Sequence, residues 1–178
     1  MGRADEQVVL VDADDLEQGT ADKLRTHREG HLHRAVSVFL FDDRGRLLLQ
    51  QRASTKHIFA GLWANTCCTH PRPGEDLIAA GRRRLGEEMG MDAPLRPAGV
   101  FRYEAADYET GLVEAEIDHV IVGTSNSEPS PNSSEVSAVE WVDVDVIRDR
   151  LDTTPNVFAP WLAPALDVVA EARLGRSE

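Results

Sequence analysis

The sequence predicts a mixed-sheet layer structure of the α/β or α+β class, and three observations carry that expectation. Apolar runs over residues 33–41 and 46–52 flank an Asp43-Arg44-Gly45 turn, the pattern of a β-hairpin. Residues 76–89 set Leu77, Ile78, Leu85 and Met89 at helical spacings and stop at Gly90, so a helix follows that hairpin. More strands and a C-terminal helical segment come after it, which mixes the two element types along one chain. With 178 residues, 42% of them apolar, the sequence holds material for one sizeable core and reads as a single domain over 1–178. Residues 1–6 and 174–178 are expected to be disordered tails.

The elements follow in order. Residues 7–11 read as a strand, closed by an acidic turn at 12–15 and a Gly19-Thr20 corner. After the hairpin, Gly61 and the Pro71 to Gly74 run mark a loop before the helix at 76–89. Strands are expected at 100–103 and 112–122, separated by 108–111. The polar, Pro-containing stretch 125–134 is a surface loop. A last strand at 136–142, a short helix at 143–151 and a terminal helix at 159–173 opened by Pro160 complete the chain.

Nineteen Lys and Arg against 31 Asp and Glu give a formal charge of −12, which repels nucleic acid and anionic membrane and disfavours both as partners. The excess is local: residues 104–149 hold twelve acids and one base, whereas residues 51–90 hold six bases and four acids. Cys67 and Cys68 are adjacent, too close for an ordinary disulfide, as suits a reducing cytoplasm. Residues 1–6 lack an apolar signal core and the longest apolar stretch is too short for a bilayer, so a cytoplasmic protein is expected.

Four groups of residues are suited to chemistry. Cys68 and His70 lie two residues apart at the mouth of a Pro-rich loop, where neighbouring positive charge would make a thiolate useful; the alternatives are two small buried hydrophobes or, less well completed, a zinc site. Glu114 and Glu116 share one face of a predicted strand, about 7 Å apart, so burial of that face demands a proton or a cation while an exposed edge demands nothing. His27, His31 and His33 gather before and at the start of the 33–41 strand, imidazole being the commonest transition-metal ligand. Arg84 and Glu88 are i,i+4 neighbours, either an ion pair worth about 0.3–0.5 kcal/mol or an arginine for phosphate beside a carboxylate for metal; Arg52 and Lys56 upstream make a diphosphate site plausible.

Gly61-Leu62-Trp63-Ala64-Asn65-Thr66-Cys67-Cys68-Thr69-His70-Pro71, followed by Glu114-x-Glu116, resembles the type I, metal-dependent isopentenyl-diphosphate delta-isomerases, and the similarity extends over about residues 8–166. The resemblance implies a Nudix-type α/β/α sandwich and the interconversion of isopentenyl and dimethylallyl diphosphate, in a monomer taking a small isoprenyl diphosphate. It identifies Cys68 as the catalytic cysteine, two residues before the histidine, with Cys67 at a position the family varies. It carries a metal site over to His27, His33, His70, Glu114 and Glu116, for Mg²⁺ or Mn²⁺, with Zn²⁺ also suited to three imidazoles. Diphosphate contacts fall to Lys23, Arg52, Lys56 and Arg84, and a second, substrate-bound Mg²⁺ to Glu88. Tyr103 and Trp161 match aromatics of the hydrocarbon pocket, while Asn156 stands where relatives often carry a further aromatic.

The implied chemistry adds a proton at one alkene carbon and removes one elsewhere through a tertiary carbocation, which needs a dry site with an acid and a base. Glu116, helped by Tyr103, is expected to donate and a Cys68 thiolate to accept, with Trp161 offering its π face to the cation. The rival reading is a Nudix hydrolase of a nucleoside diphosphate derivative. Its Arg-Glu-apolar-x-Glu-Glu segment corresponds here to Arg83-Arg84-Leu85-Gly86-Glu87-Glu88, where Arg84 replaces the first glutamate and disfavours hydrolysis. A non-catalytic binding module would have no use for Cys68 and Glu116 together.

Overall fold

The computed structural model describes residues 6–174. Strand β3 (His33–Phe41) lies at the centre of a nine-stranded mixed sheet. Along one edge it pairs in parallel with β8 (Val113–Thr124), from His33↔Glu116 to Phe41↔Thr124. Its other edge is shared: β1 (Gln7–Val11) meets it at His33, β6 (Cys67–Thr69) at residues 36–38, and β4 (Leu47–Arg52) at Phe41. Beyond β4 lie β9 (Val136–Val142) and the short β5 (Trp63–Ala64), and beyond β8 lies β7 (Leu95–Ala106).

The period of two in β3 decides which helix covers which face. Val36, Val38 and Leu40 join Leu48, Cys67, Leu85 and Met89 beneath α2 (Leu77–Met89). Phe39 and Phe41 join Val120, Val122, Leu162 and Leu166 beneath α4 (Leu162–Leu174), with Ile147 from α3 (Val144–Thr153). This is the expected α/β/α layering. Helix α2 forms as the sequence predicts: the Asp76 side chain accepts from the Ala79 amide, and Gly90 at φ 62° closes the C-terminus through the Gly86 and Leu85 carbonyls.

Several boundaries differ from the expectation. Gly19 lies inside a strand, β2 (Glu17–Asp22), antiparallel to β1, rather than at a corner. Helix α1 (Lys23–Glu29) has no apolar stripe to announce it; it exists because Asp22 caps the Arg25 amide and Gly30, at φ 66°, caps the other end. Strand β7 runs well past residues 100–103 because a register shift between Pro97 and Gly99 absorbs a proline that, on an edge strand, leaves no ladder donor missing. Helix α4 begins at Leu162 instead of 159, after a turn in which the Ala159 amide is held by the Trp63 carbonyl. Of the expected tails, residues 1–5 and 175–178 lie outside the described residues; Glu6 pairs with Lys23 at 3.0 Å and Leu174 ends α4.

Gly123 of β8 has no room for a side chain. A Cβ there would meet the Pro94 carbonyl oxygen at 2.7 Å and Leu95 Cδ2 at 2.6 Å. Gly123→Ala should therefore cost about 1–3 kcal/mol, seen as a lower urea midpoint with an unchanged slope. Among the described residues no helix is long and apolar enough to cross a membrane.

Candidate active site

The parallel register of β3 and β8 sets His33 beside Glu116 and Ala35 beside Asp118, so alternation lines Glu114, Glu116 and Asp118 along the face shared with His33 and Ser37. Strand β7 adds Tyr103 opposite Glu116, and β6 adds Cys68 opposite Ser37. Helix α1 brings His27 from outside the sheet, and the chain leaving β6 brings His70. Consecutive β6 residues point to opposite faces. Cys67 is wholly buried in the α2 core, whereas Cys68 packs with Trp161, Phe59, Phe101 and Tyr103.

Ligand atoms of His27, His33, His70 and Glu114 all lie within 4.8 Å of one another. Glu116 completes the group, its Oε1 at 2.9 Å from His70 Nε2 and 3.4 Å from His33 Nε2. His33 Nε2 and His70 Nε2 face each other at 3.1 Å, an approach that needs a proton or a cation between two lone pairs. His27 Nε2 and Glu114 Oε2 are buried without a well-formed hydrogen bond, although 3.2 Å apart. Four convergent nitrogen and oxygen donors, with Glu116 beside them and such atoms among them, fit a divalent cation. His31, by contrast, points outward and bonds Glu29 at 2.6 Å.

The electrostatics match a site built around positive charge. Burial disfavours a charged His33, yet hydrogen bonds and charge from Glu114 and Glu116 outweigh it and raise the group to about 10. Burial, then the positive charge of His33, holds His70 well below the usual imidazole value. Burial would raise Glu114, but His27 and His33 pull it well below the carboxylate range. Burial and then the charge of Glu114 push Glu116 up to about 7. Tyr103 donates its hydroxyl to Glu116 Oε2 at 2.5 Å, and burial followed by that carboxylate raises the phenol well above its usual value.

Cys68 Sγ lies 3.2 Å from Asn65 Oδ1 and 3.4 Å from Ser37 Oγ. Burial, then the Asp118 carboxylate, pushes the thiol up to about 12. The protein's own groups around Sγ thus favour the thiol over the thiolate. The aromatic wall is continuous, with ring centroids 5.7 Å apart for Phe59 and Trp161 and 6.0 Å for Tyr103 and Trp161. Arg52 donates to the Ile58 and Phe59 carbonyls with its guanidinium carbon 5.3 Å from the Trp161 ring centre. Asn156 sits in an exposed 3₁₀ turn, Pro155–Val157.

The other expected substrate contacts form a separate cluster on the α2 side of the sheet. Arg84 reaches Glu88 at 2.5 Å and Glu135 at 2.8 Å, while Lys56 bonds Glu88 at 2.8 Å and also Glu135. Gln50 fixes the second Glu88 oxygen at 2.7 Å. Glu88 thus stands apart from the histidine site, and the Arg84 to Glu88 ion pair is formed. Lys23 is tied to Glu6. Sequence reasoning missed Glu135, Asn65, Ser37 and Asp118. Only Asp118 carried a signal, as the third acid of the Glu114, Glu116, Asp118 alternation.

Residues 31–162 match the NUDIX domain family. The chain is 49% identical over 166 residues to an isopentenyl-diphosphate Delta-isomerase of Nocardia farcinica, covering 93% of this chain and 95% of that protein. It is also 49% identical to isopentenyl-diphosphate Delta-isomerase 2 of Photorhabdus laumondii over 88% of each chain. Among solved structures, DR0079 of Deinococcus radiodurans superposes with a TM-score of 0.70 at 22% identity, covering 84% of this chain and 90% of that one, a likeness of fold alone.

Proposed function

Because the chain belongs to the isopentenyl-diphosphate Delta-isomerase family within the Nudix fold, we propose that it interconverts isopentenyl diphosphate and dimethylallyl diphosphate as one domain, a cytoplasmic monomer. The observation that carries this reading is the half-buried Cys68 thiol and the buried Glu116 carboxylate on one sheet face, beside an aromatic wall. A proton must reach one alkene carbon and another must leave a different carbon, with water kept from the cation between those events. Cys68 and Glu116 form the acid/base pair, each giving a proton in one direction of the reversible reaction and taking one in the other. Tyr103 holds Glu116 through its hydroxyl. The Trp161 face, closed in by Phe59 and Tyr103, offers negative quadrupole density to the tertiary cation.

His27, His33, His70, Glu114 and Glu116 would hold a divalent cation, Mg²⁺ or Mn²⁺, or Zn²⁺ given three imidazoles. Bound there, the cation supplies positive charge that fixes the Glu116 carboxylate and lets its two buried acids coexist. Lys23, Arg52, Lys56 and Arg84 take the diphosphate, with a second, substrate-borne Mg²⁺ at Glu88. Glu135 neutralises two of those cations in the free protein, so diphosphate has to displace it. Hydrolysis is the weaker reading, because Arg84 occupies a position at which Nudix hydrolases need a carboxylate.

The test is purified protein incubated with isopentenyl diphosphate and Mg²⁺, products resolved by chromatography and NMR. Dimethylallyl diphosphate as the product supports the reading. Release of inorganic phosphate makes the protein a hydrolase, and binding without turnover makes it a module.

A further inference from the structure

Asp118 lies behind the thiol with no part in the chemistry described so far. It is 1% exposed, and its Oδ1 is buried with no hydrogen-bond partner among the described residues. Its Oδ2 accepts the Ser37 hydroxyl at 2.7 Å. Ser37 Oγ in turn is 3.4 Å from Cys68 Sγ. A serine hydroxyl has one proton, and this one is committed to Asp118, so only lone pairs are left to face the sulfur. On the other side of the thiol, the Asn65 amide nitrogen is spent on the Val38 and Cys67 carbonyls at 3.0 and 2.9 Å. Its Oδ1 is therefore the atom turned toward Cys68, where it also takes the Trp161 indole N–H at 2.9 Å.

We infer that Asp118 is a positioning residue: by holding the Ser37 proton it turns the serine oxygen into an acceptor, which with Asn65 fixes the direction of the Cys68 S–H bond. The role requires Oδ2 to be the accepting oxygen, as the 2.7 Å bond from the Ser37 hydroxyl has it. Leaving a buried carboxylate oxygen unpaired costs stability, and a leucine of similar shape would avoid that cost. Without the carboxylate, the serine hydroxyl is free to rotate and donate to sulfur, and the thiol proton swings away from the substrate. The inference rests on the role of Cys68 proposed above, but its geometric part is measurable without turnover.

Cys67→Ala leaves Cys68 as the sole thiol of the chain, so its S–H stretch can be read by infrared spectroscopy. In that background, Ser37→Ala and Asp118→Leu should each shift the band to higher frequency, and Asp118→Asn, whose amide oxygen still accepts, should restore it. With metal content equal to the parent, Ser37→Ala and Asp118→Leu should each lower kcat by about tenfold to a hundredfold at an unchanged KM. The double variant should be no worse than either single one, because the two residues act in series. An S–H band unmoved by both substitutions, or losses that multiply in the double variant, would overturn the inference. If Asp118→Leu does not fold, Asp118→Ala, which also removes the accepting oxygen, takes its place and should shift the band in the same direction. Activity surviving Cys68→Ala would instead sink the proposed role of the thiol while leaving the spectroscopic result to stand by itself.

Discussion

Cys68→Ala should lower the rate of dimethylallyl diphosphate formation by about 10²–10⁴-fold, the range that a positioned acid or base supplies. Cys67→Ala should keep most of it. The two thiols are neighbours in sequence, yet β6 directs them to opposite faces of the sheet. Cys68 stands among Trp161, Phe59 and Tyr103, whereas Cys67 is sealed beneath α2 with Leu85 and Met89. The Cys67 substitution removes packing only, costing about 1 kcal/mol and lowering Tm by about 2–4 °C. Calorimetry beside a steady-state assay separates the two effects. Comparable catalytic losses in both variants would show that the faces have been assigned wrongly.

Chelation is the second large effect. Stripping divalent ions should abolish turnover and leave His27, His33, His70, Glu114 and Glu116 to share protons in a buried space. Readdition of Mn²⁺ or Mg²⁺ should restore activity. At a hundredfold excess over Kd a single bound ion adds about 2.7 kcal/mol, or roughly 5–10 °C in Tm for a chain of this size. Glu114→Gln should remove most of that increment, since Glu114 Oε2 is a buried oxygen 3.2 Å from His27 Nε2 and 3.7 Å from His33 Nε2. Full activity and an unchanged Tm in metal-free protein would remove the argument for a cation at these residues.

Much of the site could be read from the chain. The Glu114 and Glu116 pair was visible because a strand puts i and i+2 on one face, and the histidines because few residue types bind metal well. Cys68 was singled out by its distance of two from His70. The separation of Cys68 from Cys67 by face also follows from alternation, once β6 is known to be a strand. Three residues is too short a run to announce itself. Helix α1 was hidden for a similar reason: seven residues without an apolar stripe are recognisable only by their caps.

The surroundings of Cys68 are the part of the site that the sequence shows least. A thiol beside a histidine in sequence suggests a thiolate, but His70 turns toward Glu116 and His33, while Sγ meets oxygens from Ser37 and Asn65. Likewise Arg84, Lys56 and Glu88 read as a bare diphosphate clamp, and the fold supplies Glu135 from a distant loop to neutralise it.

Local pattern in the sequence was enough for the layer class, the hairpin, the capped helix α2 and the chemical identity of the metal-binding residues, since periodicity and side-chain type are properties of neighbouring positions. Only the tertiary structure decided which groups face each other. The parallel pairing of β3 with β8 brings residues about eighty positions apart into one register, sets Asp118 behind Ser37 and Cys68, and so determines which atoms around the thiol give protons and which accept them.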